Sequence, residues 1–182
     1  VDVHRLPMAM AQLPGAHASP THRFFPPVPD PVFARAFNDL VRSFKPDIIH
    51  ARGWILYSVL GSAQRAGTPV VASAHDHSQV CATKTMLYRG DSICSGPALG
   101  KCLGCAFSHY GVRGVPLAFG LHQFGSRRHR EVAQWTATST ALAARGSAPR
   151  AGDQSAMTVV PTFIDDDLIA MAADERTAKR PD

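Results

Sequence analysis

The sequence lacks any long apolar segment. No window approaches the run of about twenty apolar residues that a membrane-spanning helix needs. The first residues, Val1 to Arg5, do not form the basic stretch followed by an apolar one that is typical of a secretory leader. The sequence therefore favours neither membrane spanning nor secretion. Because the chain also begins with Val-Asp-Val-His, which is typical of the middle of a strand, and not with Met, we expect the natural N-terminus to be missing.

The sequence also lacks a Gly-x-Ser-x-Gly motif, an internal repeat and, beyond its Pro-rich start, a low-complexity tract. Absence of the first motif argues against a hydrolase with a serine at a nucleophile elbow. A length of 182 residues is sufficient for one α/β domain and too short for two. Charged residues make up 18% and hydrophobic residues 45% of the chain, a balance that is typical of a globular protein and not of a disordered one.

Acidic residues are fewer than basic ones, with 14 Asp and Glu against 19 Lys and Arg. This excess favours an anionic partner, such as nucleotide phosphates, nucleic acid or acidic lipid headgroups. The clearest basic cluster is Arg127, Arg128, His129 and Arg130, which is too short for an extended nucleic-acid groove. The cluster is either a solvated helix face or an anion contact, and we expect no nucleic-acid partner.

Apolar periodicity and turn residues predict helices that alternate with strands. Residues 6–29 are rich in Pro and predicted to form a loop, after which Asp30 caps an amphipathic helix that ends before Pro46. Further helices are predicted at 54–65, around 115–132 and from Ser139 through 144. Short apolar runs predict strands at 47–50, 69–74, 135–138 and 157–160. This order is typical of an α/β fold in which a Rossmann-like parallel sheet has helices on both faces.

Polar residues follow several of the predicted strands. In doubly wound sheets the ligand lies beyond the carboxyl ends of the strands. We therefore expect His50, His75, Ser139 and Thr162 to approach a common edge. The alternative for each histidine, and for His77, is a loop residue that closes a strand without any further role.

All four cysteines of the chain fall within a short stretch, as Cys81, Cys94, Cys102 and Cys105. The last two, with Gly104 between them, have the spacing of a zinc knuckle, and four thiolates fill a tetrahedral site. We expect a closed structural zinc site with all four cysteines as ligands. Free thiols, two disulfides and a redox-active Cys-x-x-Cys pair are the alternatives, and the absence of a secretory leader lowers the weight of the disulfides.

In their order, several of these segments resemble the N-terminal domain of family 4 glycosyltransferases, which are retaining enzymes built from two Rossmann-like domains in the GT-B architecture. The resemblance spans about residues 32–165. It rests on the segments Lys45-Pro46-Asp47-Ile48-Ile49-His50, Ala66-Gly67-Thr68-Pro69-Val70-Val71, His75-Asp76, Thr138-Ser139, Val159-Val160-Pro161 and Ile164-Asp165. The four cysteines resemble an insertion found in a subset of the family.

Two positions depart from the family's pattern. Arg52 stands where the family often has a second histidine, and Thr162-Phe163 stands where Asn-Gly is common. The second departure puts the interdomain contacts of that loop in doubt. The glycine-rich loop of the family's first strand and the spaced glutamates of its C-terminal domain are not found in the sequence.

The resemblance implies a domain organisation and an activity. Residues 1–165 are expected to form an N-terminal Rossmann-like domain with a cysteine-rich insertion at 78–110, and residues 166–182 to begin a linker to a missing C-terminal domain. The intact protein is expected to be a hexosyltransferase-type enzyme that transfers a sugar from a nucleotide-sugar donor to an envelope, polysaccharide or lipid-linked acceptor. The fragment alone is expected to be inactive.

The resemblance also implies roles for individual residues. His75 is expected to be catalytic, beneath the donor sugar, and Asp76 to orient or accept from a hydroxyl group. From their positions and chemistry, and not from the resemblance, His50, Arg52 and Ser139 are expected to bind substrate, with the forked guanidinium group of Arg52 donating hydrogen bonds to a phosphate.

Residues 115–124, followed by the basic cluster, combine apolar and basic side chains. This combination suits peripheral contact of a cytoplasmic enzyme with the inner face of a membrane. Packing of the same apolar residues against the sheet is the alternative. A different interpretation of the whole chain is a zinc-bearing module that binds nucleic acid or protein without catalysis.

Overall fold

The computed structural model describes residues 2–9, 26–146 and 157–163, apart from the side chains of residues 126–128. The strands are β1 (Ile49–Arg52), β2 (Val70–Ala74), β3 (Leu87–Tyr88), β4 (Ser92–Ile93), β5 (Gln134–Ala137) and β6 (Thr158–Val159). The α-helices are α1 (Pro31–Phe44), α2 (Leu56–Ala66), α3 (Leu99–Tyr110), α4 (Gly114–His129) and α5 (Thr140–Gly146). Short 3-10 turns at Gly53–Ile55 and Gly111–Arg113 precede α2 and α4.

Four strands form a parallel sheet in the order β1-β2-β5-β6, and β3 and β4 form a separate antiparallel hairpin. Helices flank the parallel sheet, so the predicted Rossmann-like α/β fold is confirmed. The strand β1 begins and ends two residues later than predicted. Its register explains the shift, because Ile49 pairs with Val70 and Arg52 with Ser73, and this pairing extends the strand to the edge of the sheet.

Helix α1 begins at the predicted cap. The Asp30 Oδ1 accepts hydrogen bonds from the amides of Val32 and Phe33, each at 3.0 Å, and Pro31 occupies the first helical position. The amide of the buried Asp30 donates to the Ser58 Oγ of α2 at 2.8 Å. The cap therefore joins α1 to α2. Helix α2 ends at a glycine, since Gly67 has a φ of +68°.

The main core lies between one face of the sheet and helices α1 and α2. The sheet contributes Ile49, Ala51, Val70, Ala72 and Trp135, and the helices contribute Phe33, Val41, Val59, Leu60 and Ala63. These residues alternate along each strand with more exposed ones, which places the second set on the opposite face.

The cysteine-rich insertion folds in a way that the sequence did not predict. Both Cys102 and Cys105 lie within α3, one turn apart, and not on a knuckle turn. The helix forms because its Ala106 is completely buried against α4, and Leu103 and Tyr110 pack against the same cluster. Tertiary burial therefore overrides the local preference of its glycines.

Backbone strain is concentrated in the loop and hairpin that precede α3. Lys84, Met86 and Arg89 have φ values of +66°, +54° and +51°, which place these non-glycine residues in the left-handed region. Each such residue costs roughly 1–2 kcal/mol. Some other interaction must therefore hold this segment in place.

The two ends of the chain are only partly described. Residues 2–8 form no strand, although the sequence of the start is strand-like; Leu6 and Met8 pack against the main core, and the Ala9 amide donates to Asp30 Oδ1 at 3.1 Å. Of the predicted loop at 6–29, residues 10–25 lie outside the described residues, as does the whole predicted linker at 166–182. Among the helices described, none is both long and apolar enough to cross a membrane.

We predict that Gly114→Ala destabilises the protein. A Cβ at position 114 would overlap the carbonyl oxygen of Ala106, so α3 and α4 would have to separate. The expected loss in the free energy of unfolding is about 2 kcal/mol, as for other cases of overpacking, measured by urea denaturation. Gly104→Ala on α3 is the control, because a Cβ there meets nothing within 4 Å and alanine favours helix. Equal stability of the two variants would contradict close packing of these helices.

Candidate functional site

The carboxyl ends of the parallel strands meet at one edge of the sheet. The Thr138 amide donates to the Ala74 carbonyl at 3.3 Å, and the Val160 amide donates to the Ala137 carbonyl at 2.8 Å. These bonds lie at the ends of β2, β5 and β6, so the segments that follow the three strands run side by side. The predicted meeting of strand ends is confirmed for these segments.

The loop after β2 places His75 at this edge. His75 directly follows the strand and is exposed. Asp76 Oδ1 accepts a hydrogen bond from the Ser78 amide at 2.9 Å, and the buried Trp54 donates from Nε1 to the Ser78 carbonyl at 2.7 Å. Trp54 follows β1 almost directly. A side chain from the segment after β1 therefore fixes the loop after β2, which presents His75.

His50 lies farther from the edge than predicted. The strand β1 continues two residues beyond it, so His50 does not end the strand and Arg52 takes the terminal position. The Nε2 of His50 lies 2.7 Å from Ser73 Oγ, which lies 2.7 Å from Thr136 Oγ1. Three polar side chains are therefore connected across β1, β2 and β5, on the sheet face opposite α1 and α2. The sequence does not reveal this connection, because the strand register creates it.

Ser139 has a structural contact at the same edge. Its Oγ accepts a hydrogen bond from the Leu142 amide at 3.2 Å and so caps α5, as the sequence predicts. Arg52 is exposed beside Ser73 of the neighbouring strand. The binding roles of Ser139 and Arg52 remain predictions.

His77 is the one histidine of this loop with a clearly shifted pKa. Burial lowers its pKa from 6.5, the charge of Arg145 lowers it further, and the carboxylate of Asp76 opposes both effects. Its Nδ1 is buried, and among the described residues it has no hydrogen-bond partner. Its backbone closes the loop, since its amide donates to the Lys84 carbonyl at 3.1 Å and its carbonyl accepts from the Cys81 amide at 2.8 Å.

Sequence reasoning missed two cations near this edge. Lys84 lies with Nζ 4.6 Å from the ring centroid of Trp54, and Arg145 of α5 acts on His77. Both residues are distant in sequence from Arg52. Tertiary packing therefore brings the three cations to the same edge. With Arg52 they give the edge a basic character that suits a phosphate-bearing ligand.

The four cysteines are free thiols, and all are partly buried. Burial raises the pKa of Cys102, and the nearby charges of Cys81 and Cys94 raise it further. Cys105 Sγ lies 3.5 Å from the Arg89 amide nitrogen and 3.8 Å from the Leu87 carbonyl oxygen, against the hairpin. Within the described ranges, no three side chains of His, Cys, Asp or Glu are gathered closely enough to hold a metal ion. Zinc binding therefore stays a prediction.

Comparison with known proteins gives one finding. The family model described as Glycosyltransferase Family 4 matches residues 4–168, which is most of the chain. Comparisons with curated proteins and with solved structures gave no match. The match includes both the sheet edge and the cysteine-rich insertion.

We predict that His77 makes stability depend on pH. Because burial lowers its folded-state pKa below the unfolded value of 6.5, the unfolded chain binds the proton more tightly. Stability should therefore fall as the pH drops from above 6.5 through the folded-state pKa, and His77→Gln should reduce this fall. Urea midpoints measured across this range test it, with His109→Gln, at an exposed histidine of α3, as the control for loss of an imidazole. If the urea midpoint of His77→Gln depended on pH as that of the wild-type protein does, His77 would not be the cause of the pH dependence.

Proposed function

The chain belongs to glycosyltransferase family 4, and on this premise we propose that it forms the acceptor-side domain of a retaining enzyme that uses a nucleotide-sugar donor. The observation that most supports this assignment is the polar edge where Arg52 ends one strand and His75 follows the end of the adjacent parallel strand. Ligands of doubly wound sheets bind at such an edge. The family alone gives the reaction class, and in this proposal the reaction takes place at this edge.

Transfer of a sugar requires that the departing diphosphate be neutralised and that the acceptor hydroxyl be held near the anomeric carbon. In this proposal Arg52 and Arg145 counter the negative charge on the phosphates. A guanidinium group suits this task because it stays charged and donates two parallel hydrogen bonds. The positions of both cations around the loop that presents His75 support the assignment.

His75 and Asp76 act directly on the sugars in this proposal. His75 is exposed at the end of β2 and hydrogen-bonds the donor sugar or the acceptor. One carboxylate oxygen of Asp76 accepts a hydrogen bond from the Ser78 amide. In this proposal its other oxygen accepts from an acceptor hydroxyl. His50, held by Ser73, and Ser139 contribute further contacts to substrate.

The proposal divides the substrates between two domains. In this proposal the intact enzyme is of the hexosyltransferase type. The domain described above contributes the acceptor side, and a second Rossmann-like domain holds most of the nucleotide sugar. On this division, a protein made of these 182 residues alone is inactive, because a donor bound from one side is not enclosed in a water-poor cleft.

We predict that His75→Ala lowers the turnover of the intact enzyme by at least about tenfold, since it removes a hydrogen bond to a reacting sugar. Release of nucleoside diphosphate from a panel of nucleotide sugars measures turnover, and NMR of the product shows whether the anomeric configuration is retained. His109→Ala, at an exposed histidine far along the chain on α3, is the control. Turnover of His75→Ala within about threefold of wild type would remove His75 from the mechanism.

The surface of α3 and α4 supports a membrane-associated acceptor. Residues 92–130 contain no Asp or Glu, and their basic residues are Lys101, Arg113, Arg127, Arg128 and Arg130. Among the described side chains of the same segment, large apolar ones are exposed at Ile93, Phe107, Val112, Val115, Phe119 and Phe124. Positive charge combined with exposed apolar groups favours binding to an anionic bilayer.

The apolar residues of α4 were expected either to pack against the sheet or to contact a membrane, and they fall into a buried set and an exposed set. Leu117 and Leu121 are buried and pack in a cluster with Trp54 and Tyr57, so packing accounts for them. Phe119 is 49% exposed and does not belong to that cluster. We propose that the exposed set contacts the membrane and brings the sheet edge to a lipid-linked or envelope acceptor at the cytoplasmic face.

We predict that the double change Val115→Ser and Phe119→Ser weakens binding of the intact protein to phosphatidylglycerol-containing vesicles by at least about tenfold, because two apolar side chains are lost from the contact. Vesicle flotation at low salt measures binding. Phe44→Ser is the matched control, because Phe44 is an exposed phenylalanine, at 71%, on the remote helix α1. Failure of the wild-type protein to bind, or equal weakening by Phe44→Ser, would rule out this surface. Preferential binding to DNA instead would favour the non-catalytic module.

A further inference from the structure

The segment between β2 and α3 has little apolar core of its own. In the part of the chain that the structure describes, its buried hydrophobic residues are Ala82 and Met86, and its strands β3 and β4 have two residues each. Leu87 and Ile93 of the hairpin are exposed. Apolar burial therefore does not explain how the segment keeps its left-handed residues. Small segments of this kind are usually held by covalent or metal cross-links.

The four thiols come from three pieces of chain that meet beside α3. Cys102 and Cys105 are one turn apart on the helix, so both side chains project from the same side of it. Cys102 packs against the cluster that contains Ala82, the neighbour of Cys81. Cys105 contacts the hairpin at Leu87 and Arg89, and the amide of Cys94, directly after β4, donates to the Met86 carbonyl at 2.9 Å.

Three of these thiols have only weak partners among the described residues. Cys105 Sγ is 3.8 Å from the Leu87 carbonyl, Cys94 Sγ is 3.5 Å from the Gly96 carbonyl, and Cys81 Sγ is 3.2 Å from Thr83 Oγ1. A thiol is a weak donor and a weak acceptor, so such contacts hold the side chains only loosely. Such contacts would be given up readily in exchange for bonds to a metal ion.

We propose that Cys81, Cys94, Cys102 and Cys105 bind one structural zinc ion, which joins the loop after β2 and the hairpin to α3. In a tetrahedral zinc site with four thiolates, each sulfur atom lies about 2.3 Å from the metal. The four sulfur atoms must therefore be closer to one another in such a site than they are in the structure. Ligands one helical turn apart, together with one from the loop and one from the hairpin, supply the required set. Since protein sulfur fills all four positions, the ion takes no part in the transfer reaction.

The zinc site would also position the sheet edge. The Cys81 amide donates to the His77 carbonyl, and the His77 amide donates to the Lys84 carbonyl, so the loop at 77–84 is closed on itself. An ion that fixes Cys81 to α3 thereby fixes the loop that begins with His75 and Asp76. The inference rests on the cysteines and not on the proposed reaction, so it can fail while the transferase assignment stands.

The first test is made on the intact wild-type protein, purified without added chelator. We expect about one zinc ion per chain by elemental analysis and, after exchange, cobalt spectra with the sulfur-to-metal band and intense visible bands of a tetrahedral thiolate site. A thiol reagent should react with the cysteines only after a chelator has removed the metal. Removal of the metal should also lower Tm. Absence of metal with immediately reactive thiols, a mass that indicates two disulfides, or an iron spectrum would each overturn the proposal.

The second test compares two substitutions on α3. Cys105→Ser should weaken cobalt and zinc affinity by at least tenfold and remove part of the sulfur-to-metal band, because one of four thiolates is lost. Ser108→Ala, at an exposed residue one turn away on the same helix, should leave both unchanged. Full metal affinity in Cys105→Ser would overturn the four-cysteine site. If Cys105→Ser does not fold, the metal content and cobalt spectrum of the wild-type protein still decide the question.

Discussion

The burial of Trp54 is the interaction on which the arrangement of the site depends. The indole follows β1, donates its Nε1 proton to the Ser78 carbonyl in the loop after β2, and packs with residues of α2, α3 and α4. A buried N–H group must find a partner, so the sheet and the loop are fixed relative to each other at this point. Lys84 lies over the same ring, which draws the strained part of the insertion to the same side chain. The direction in which the loop presents His75 follows from this one contact region.

The two faces of the parallel sheet differ in polarity. Ala51 and Ala72 are buried under α1 and α2, and small residues there let the helices lie close to the sheet. On the opposite face, His50, Ser73 and Thr136 satisfy one another by hydrogen bonds across three strands. A polar chain of this kind is kept ordered by its own hydrogen bonds and can still exchange them with a ligand.

Much of the parallel sheet and its helices could be predicted because their signals are local. The cap at Asp30, the left-handed Gly67 and the β-branched run at β2 each act within a few residues. The end of β1 could not be predicted to the residue, because pairing with Ser73 extends it. Helix α3 has no side-chain cap at Ala98 and contains Gly100 and Gly104, so only its burial against α4 shows that it is a helix.

Some residues of the candidate site could be predicted from the sequence, and others could not. His75 and Asp76 follow a strand that the sequence reveals, so their position at the edge could be inferred. Lys84 and Arg145 carry no local signal, because their positions depend on a strained loop and on the packing of α5.

The edge therefore lies between two parts of unequal rigidity. On one side are paired strands with a shared apolar core, and on the other is an insertion whose loop and hairpin have few buried apolar side chains. Local opening of a protein begins where buried apolar contact is least. The insertion should open before the sheet does, and such an opening would displace Lys84 and loosen His77 while β1 and β2 remain paired. A fixed insertion is thus a condition for a fixed position of His75 at the edge of the sheet.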